Sequence, residues 1–347
     1  MATARAFDNG ASLVEWTDEI LNLDNQYGLI NGLGLFDAKG VSQTSIVFDK
    51  VNSTTTLLPQ VSRRSGAATK GVGRSMQTFS LPLGYFKHED SIVGEDIQGY
   101  RKPGTAGDAE TFADVRIEKL TDMRMQVDQT LEYMKMQAIK GVTKTPDGAT
   151  LADMFTEFSV SQQTVAFALA TSTTDVDGKI AELKRKMTSS LRTGGVISGI
   201  DLIVDDLFFD KLVSHPNIRA AYASYQNSGA QRLRDDMSQY MSWGVVDHFE
   251  HRGVRFMTYD AIFNLPDGTT EAAVAANTGH AVPRGTRNLF KGFYGPTAKL
   301  AGAGAPGREM FAYEYADPRG NSWDLEVETA PLFVCTQPLV LVEATTT

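Results

Sequence analysis

His248-Phe249-Glu250-His251 sets two imidazoles and a carboxylate within four residues, the donor types of a zinc or similar metal centre. A metal-dependent hydrolase would use such a centre to activate water. The arrangement is not H-E-x-x-H, which places both histidines on one helical face. It runs into Gly253 and a strand-like stretch, so polar residues at a strand boundary are the simpler reading. His88, His215 and His280 stand singly. Gly302-Ala303-Gly304-Ala305-Pro306-Gly307 matches G-x-G-x-x-G. A dinucleotide site needs a strand before that pattern and a helix opening inside it. Here YGPTAKLA precedes it and Pro306 interrupts it, which predicts a surface loop. Asp205-Asp206 reads as a helix cap between a strand and a helix, since a cap carboxylate accepts from otherwise unpaired N–H groups. Met123, Met125, Met134 and Met136 read as packing residues. No Walker A or G-x-S-x-G pattern is present. The expectation is no catalytic residue, no cofactor and no metal, and therefore no enzyme.

The charges are distributed more informatively. The chain of 347 residues carries 33 Lys and Arg against 42 Asp and Glu, a formal net charge of -9. Six of those bases, Lys50, Arg63, Arg64, Lys70, Arg74 and Lys87, lie between Lys50 and His88, where there is no acid at all. Nucleic-acid binding by this stretch would want aromatics among the charges, and Arg63 to Arg74 has none. A solvated loop is a second reading. An intersubunit arm is the third, because the acidic remainder of the chain gives it a complementary surface on copies of itself. These six residues are accordingly the candidate interface residues.

The elements around this stretch follow from pattern. Residues 1–42 mix short apolar runs with turn formers and read as an arm that needs a surface. QTSIVFDKVNSTTTLLPQV and SMQTFSLPLGYF are strand-like and flank basic, glycine-rich SRRSGAATKGVGR, predicting a long two-stranded hairpin over 43–88. Such a hairpin is marginal alone in water and needs a partner. HEDSIVGEDIQGYRKPG reads as an acidic linker. A helix is predicted over 114–140, with Leu120, Met123, Val127, Leu131, Met134 and Ala138 on one stripe. Thr111 with Asp114 resembles its capping box, and Lys135, Lys140 and Gly141 mark its end. A second helix is predicted from Asp177 to Arg192, ended by Gly194-Gly195. IDLIVDDLFFDKLVSHPNIRAAY predicts a strand at Leu202 to Val204, then a helix. Turns follow at Pro146-Asp147-Gly148 and Pro266-Asp267-Gly268. SWDLEVET and APLFVCTQPLVLVEA predict apolar closing strands beside the long helix, with Cys335 a buried small hydrophobe. No apolar stretch approaches the roughly 18 residues of a membrane span, and MATARAFDNG lacks the marks of a signal peptide. Assembly in the cytoplasm, without a membrane, is the expectation.

The order of these parts resembles the lambda-type major capsid proteins of tailed phages, the capsid protein E family. DMRMQVDQTLEYMKMQAIKGV is similar to that family's spine helix, IDLIVDDLFFDKLVSHPNIRAAY to its axial-domain strand and helix, and ETAPLFVCTQPLVLVEA to its C-terminal core strands. The resemblance implies an α+β Hong Kong 97-type shell fold. Its parts would be an arm (1–42), an extended loop (43–88), a peripheral domain (89–174), an axial domain (175–310) and C-terminal strands returning to the peripheral domain (311–347). It further implies a homo-oligomer of pentamers and hexamers in an icosahedral virion shell enclosing double-stranded DNA. Portal and scaffolding proteins, with a decoration protein in some relatives, would be its partners. Some relatives crosslink a loop lysine, and Lys70 stands in a comparable place, but lambda-type relatives do not rely on that bond and the sequence identifies no Asn or Glu partner for it. An encapsulin-like bacterial compartment shell shares the fold and remains the alternative use, with the metal-dependent hydrolase a reading from another class.

Overall fold

The computed structural model describes residues 5–6, 12–15, 28–52, 75–98, 111–192, 195–227, 245, 247–302 and 304–347. Helices and strands are mixed through the chain, as the α+β expectation requires. Between them, the arm contributes β1 (Arg5–Ala6), β2 (Ser12–Glu15), the short helix α1 (Leu29–Leu33) and β3 (Asp37–Gly40). The hairpin is β4 (Ser45–Asn52) with β5 (Ser75–Pro82), followed by β6 (Phe86–Val93) and α2 (Gly94–Ile97).

The spine of the molecule is α3 (Phe112–Lys140). Thr111 Oγ1 accepts from the Asp114 N–H while the Asp114 carboxylate accepts from the Thr111 N–H, each at 3.3 Å. This reciprocal cap satisfies two donors that a helix start leaves open. It starts the helix two residues before the predicted boundary. At the other end Gly141 has φ of 90°, and a Cβ there would overlap the Phe155 ring. Only glycine fits that left-handed closure without strain. All six residues of the predicted stripe are buried.

The spine is followed by the pair β7 (Val142–Lys144) and β8 (Thr150–Asp153), then α4 (Met154–Phe158) and β9 (Gln163–Ala166). Next come α5 (Val176–Ser190), β10 (Gly199–Val204), α6 (Asp206–Ser214) and α7 (Pro216–Asn227). Helix α5 is capped by Asp175, whose side chain accepts from the Gly178 N–H, and ends before the predicted Arg192; Gly194 lies outside the described residues. The remainder supplies β11 (His248–His251), β12 (Val254–Thr258), the hairpin β13 (Ile262–Asn264) with β14 (Thr270–Ala272), β15 (Thr278–Arg284) and β16 (Phe290–Tyr294). The chain closes with β17 (Phe311–Ala316), β18 (Ser322–Thr329), β19 (Pro331–Cys335) and β20 (Val342–Thr345).

Three larger sheets result, ordered β1-β2-β17-β18-β6, β11-β12-β10-β15-β20-β9 and β19-β16-β3. The first packs Ile92, Leu325 and Val327 against the apolar stripe of α3. The second forms a core with α5, α6 and α7 through Leu202, Val204, Ile180, Leu183 and Phe208. The third joins the hairpin base through Phe293, Leu332 and Val334. Cys335 is fully buried, and burial pushes its thiol up to about 12.

These sheets cut across three predicted boundaries. HEDSIVGEDIQGYRKPG is not a linker over its described part: His88 to Val93 completes β6, registered along the whole of β18. The run can be acidic and still pack because Lys119 of the spine reaches Asp90 at 3.2 Å and Asp96 at 3.3 Å. The hairpin accordingly ends at Pro82, and Lys87 belongs to β6. The C-terminal strands do not stay together. Pro338 opens a short 3-10 turn after β19, and a proline has no N–H to extend a ladder. The chain turns there and β20 enters the second sheet beside β15 and β9. Conversely β16, assigned to the 175–310 segment, pairs with β19 and β3.

Candidate assembly interface

The chemical candidates are separated by the fold. His248 and His251 lie three positions apart on β11, so a two-residue period points them to opposite faces. His251 Nε2 lies 2.7 Å from Asp177 Oδ1, and Glu250 stands opposite Arg255. Among the described residues no three of His, Cys, Asp and Glu are grouped to hold a metal ion. Asp205 is the cap that its position implies: its carboxylate accepts from the Leu207 N–H at 3.1 Å and from the Asn277 N–H at 3.0 Å. Burial, with Asp260, Asp205, Asp210 and Asp247 nearby, raises the Asp206 carboxyl above its ordinary range. Among the described residues of Gly302 to Gly307 no helix opens: a short 3-10 turn over Leu300–Gly302 ends there. Instead Gly307 donates its N–H to Val41 O at 2.9 Å, and a Cβ on it would overlap the backbone of Tyr294 and Gly295. Close packing of chain against chain explains that glycine.

The hairpin has two unlike faces. Ile46, Phe48, Phe79 and Leu81 point into the molecule, with Phe48 stacked on Phe79 at 5.6 Å and edge-on to Phe293 at 5.7 Å. Lys50 belongs to this inner face. Its ammonium donates to Phe158 O at 3.0 Å and lies over the Phe158 ring. On the outer face Val47 and Met76 are 59% and 60% exposed, on either side of Asp49, which accepts from Thr78 Oγ1 at 2.7 Å. Arg63, Arg64, Lys70 and Arg74 lie outside the described residues.

Lys87 is occupied within its own chain. It pairs with Glu89 and, at 3.2 Å, with Glu326 of the adjacent strand β18. Glu326 also takes Lys299 at 2.5 Å, and Glu328 accepts from Thr297 Oγ1 at 2.6 Å. Burial alone would raise the Glu328 carboxyl; hydrogen bonds donated by Thr297, Tyr85 and the Ala298 N–H outweigh it and hold the pKa below the ordinary value.

Sequence reasoning missed a second polar centre, on the spine. Glu132 is buried, and its carboxylate accepts from the N–H groups of Ile30 and Asn31, each at 2.8 Å, and from Tyr259 O–H at 2.7 Å. One turn along, Tyr133 and Gln137 each donate to Glu271 at 2.9 Å, with Lys140 at 3.6 Å. Side chains of the spine are thus joined to Tyr259, just after β12 of the second sheet, and to the separate β13–β14 hairpin. Asp201, in the middle of that sheet, is clasped by Arg255 at 2.9 and 2.8 Å and by Arg284 at 3.0 Å.

A long spine helix flanked by one sheet, a second mixed sheet built largely from the middle of the chain, and a projecting hairpin define a shell-protein fold of the Hong Kong 97 type. The mature capsid of bacteriophage PhiM1 shares that fold, with a TM-score of 0.54 and 12% identity over 93% of this chain and 89% of the other. Residues 12–346 match the family described as phage major capsid protein E, and the chain belongs to it. The major capsid protein of Salmonella phage Felix O1 is 34% identical over 95% of both chains, and that of Pseudomonas phage KPP10 is 30% identical over 97% of both. The chain is therefore a tailed-phage major capsid protein, a structural component of the virion whose copies build the head shell. The compartment-shell and hydrolase alternatives are not favoured. Among the described residues no helix is long and apolar enough to cross a membrane.

Proposed function

We propose that copies of this chain join through the projecting hairpin, whose inner face is fixed on its own subunit and whose outer face engages the next. The two-faced hairpin is the observation that supports this reading. Two strands alone do not hold together in water, and β4 and β5 have a packed apolar side and an open one. The hairpin leads in sequence into Arg63, Arg64, Lys70 and Arg74, which complement the acidic remainder of a neighbouring copy. Lys50 and Lys87 take part indirectly, by holding the base of the hairpin and β6 on their own subunit. Copies so joined form pentamers and hexamers of an icosahedral head enclosing double-stranded DNA without reading its sequence. A scaffolding protein, a portal and, on the finished shell, a decoration protein are the partners such a head employs. Assembly takes place in the host cytoplasm.

Negative-stain microscopy of the expressed chain tests the reading, beside the triple variant Arg63→Glu, Arg64→Glu and Arg74→Glu. The expected outcome is closed particles for the parent and folded, unassembled subunits for the variant. Particles from the variant at the parent's yield would remove the basic stretch from the interface.

A further inference from the structure

The Glu132 carboxylate joins two elements that are remote in sequence from it and from each other. Its Oε1 accepts from both Ile30 N–H and Tyr259 O–H, and its Oε2 from Asn31 N–H. Gly28, at φ of 92°, brings the arm so close that a Cβ there would overlap the Glu132 carboxyl. The arm is further tied by Asn31, which donates to Asp128 O at 3.4 Å and accepts from Lys135 Nζ at 2.5 Å. Helix α1 has five residues, far below the length that is stable alone, so its form depends on this docking. Side chains of the arm reach beyond the spine: Leu29 and Ile30 of α1 pack in the core of the second sheet, and Phe36, just before β3, packs against that core and the core beneath the first.

We propose that Gly28–Gly40 is a strap whose docking on Glu132 and the seating of the second sheet at Tyr259 are one coupled event. Tyr259 follows β12, and its O–H fixes the rotamer that presents both carboxylate oxygens to α1. The docked arm in turn supplies two of the three donors that make a buried carboxylate tolerable. Loss of either partner weakens the other, as reciprocal linkage requires. The Glu271 clasp on Tyr133 and Gln137 shares no atom with this centre and holds the β13–β14 hairpin independently. The spine therefore has one attachment that senses the arm, at Tyr259 beside the second sheet, and one that does not, at the separate β13–β14 hairpin.

Amide hydrogen exchange on the full chain tests the coupling through two variants, of which Gly28→Ala, made in the arm and read out at 254–261, is decisive. Gly28→Ala dislodges the arm and changes neither the Glu132 nor the Tyr259 side chain; Tyr259→Phe removes the hydroxyl that meets both Glu132 and the Leu29 backbone N–H of the arm. Each is expected to speed exchange about tenfold both in 28–33 and in 254–261, leaving 133–140 and 270–272 unchanged. Acceleration confined to the mutated end would overturn the coupling, as would acceleration spread over the whole chain. Glu132→Gln, which keeps the shape of the side chain, is expected to reproduce the two-ended pattern. A one-ended response there would equally refute it.

Discussion

His280 sits on β15 between Ile203 of β10 and Glu343 of β20, with almost none of its surface exposed. Burial, with the Lys140 charge nearby, pushes its pKa down to about 3 from an ordinary 6.5. The ring is therefore neutral in the fold while the unfolded chain binds a proton below pH 6.5. Its contribution to stability is complete above that value and declines as pH falls towards 3. Between pH 7 and pH 5 this one group should cost roughly 2 kcal/mol of unfolding free energy. Urea denaturation at both values checks it: His280→Gln should lose that much less than the parent over the same interval. In the sequence this histidine was one of three scattered singly, with nothing to mark it. The same holds for Glu132. Arg124, Asp128, Glu132 and Lys135 recur at helical spacing, a pattern that a solvated face shares, yet Arg124, Asp128 and Glu132 are buried. The caps were legible because partners such as Thr111 and Asp114 lie within one turn. Ile30 and Glu132 lie 102 residues apart, and no local pattern joins them.

At the scale of elements the spine helix was the most legible part, since its stripe and both ends are written in adjacent residues. Those ends also make a sharp test. Thr111→Ala removes a cap acceptor and should cost about 1 kcal/mol. Gly141→Ala should cost more, because the new side chain must adopt a left-handed backbone and meets the Phe155 ring. Thermal unfolding should rank the parent above Thr111→Ala and Thr111→Ala above Gly141→Ala; the reverse order would place the helix stop in some other contact. Strand β6 was missed for a physical reason. Its charged residues suggested solvent, and Lys119, supplied by another element, neutralises Asp90 and, in the following α2, Asp96. The closing run APLFVCTQPLVLVEA was legible as core but not as two sheets. Hydrophobicity records burial, whereas which sheet a strand joins depends on where the 3-10 turn at Pro338 redirects the chain.

Over the whole molecule the separation of charge outlasts any single contact. A stretch holding six of the 33 bases and none of the 42 acids is joined to a body of net negative charge, so copies attract each other in one orientation over long range. That attraction is screened by salt, with a Debye length of roughly 10 Å at 0.1 M and 3 Å at 1 M. The outer face of the hairpin contributes differently, because burial of Val47 and Met76 does not weaken as salt rises. The two contributions can be told apart by light scattering during assembly. The parent should assemble more slowly as salt is raised across that range. Val47→Lys with Met76→Lys should lower the final yield of particles at every salt concentration, since the new charges leave an apolar contact unmade. If the double variant assembles to the parent's yield, the outer face is open in the shell as well. The basic stretch would then carry the contact alone, and assembly should disappear almost entirely at 1 M salt.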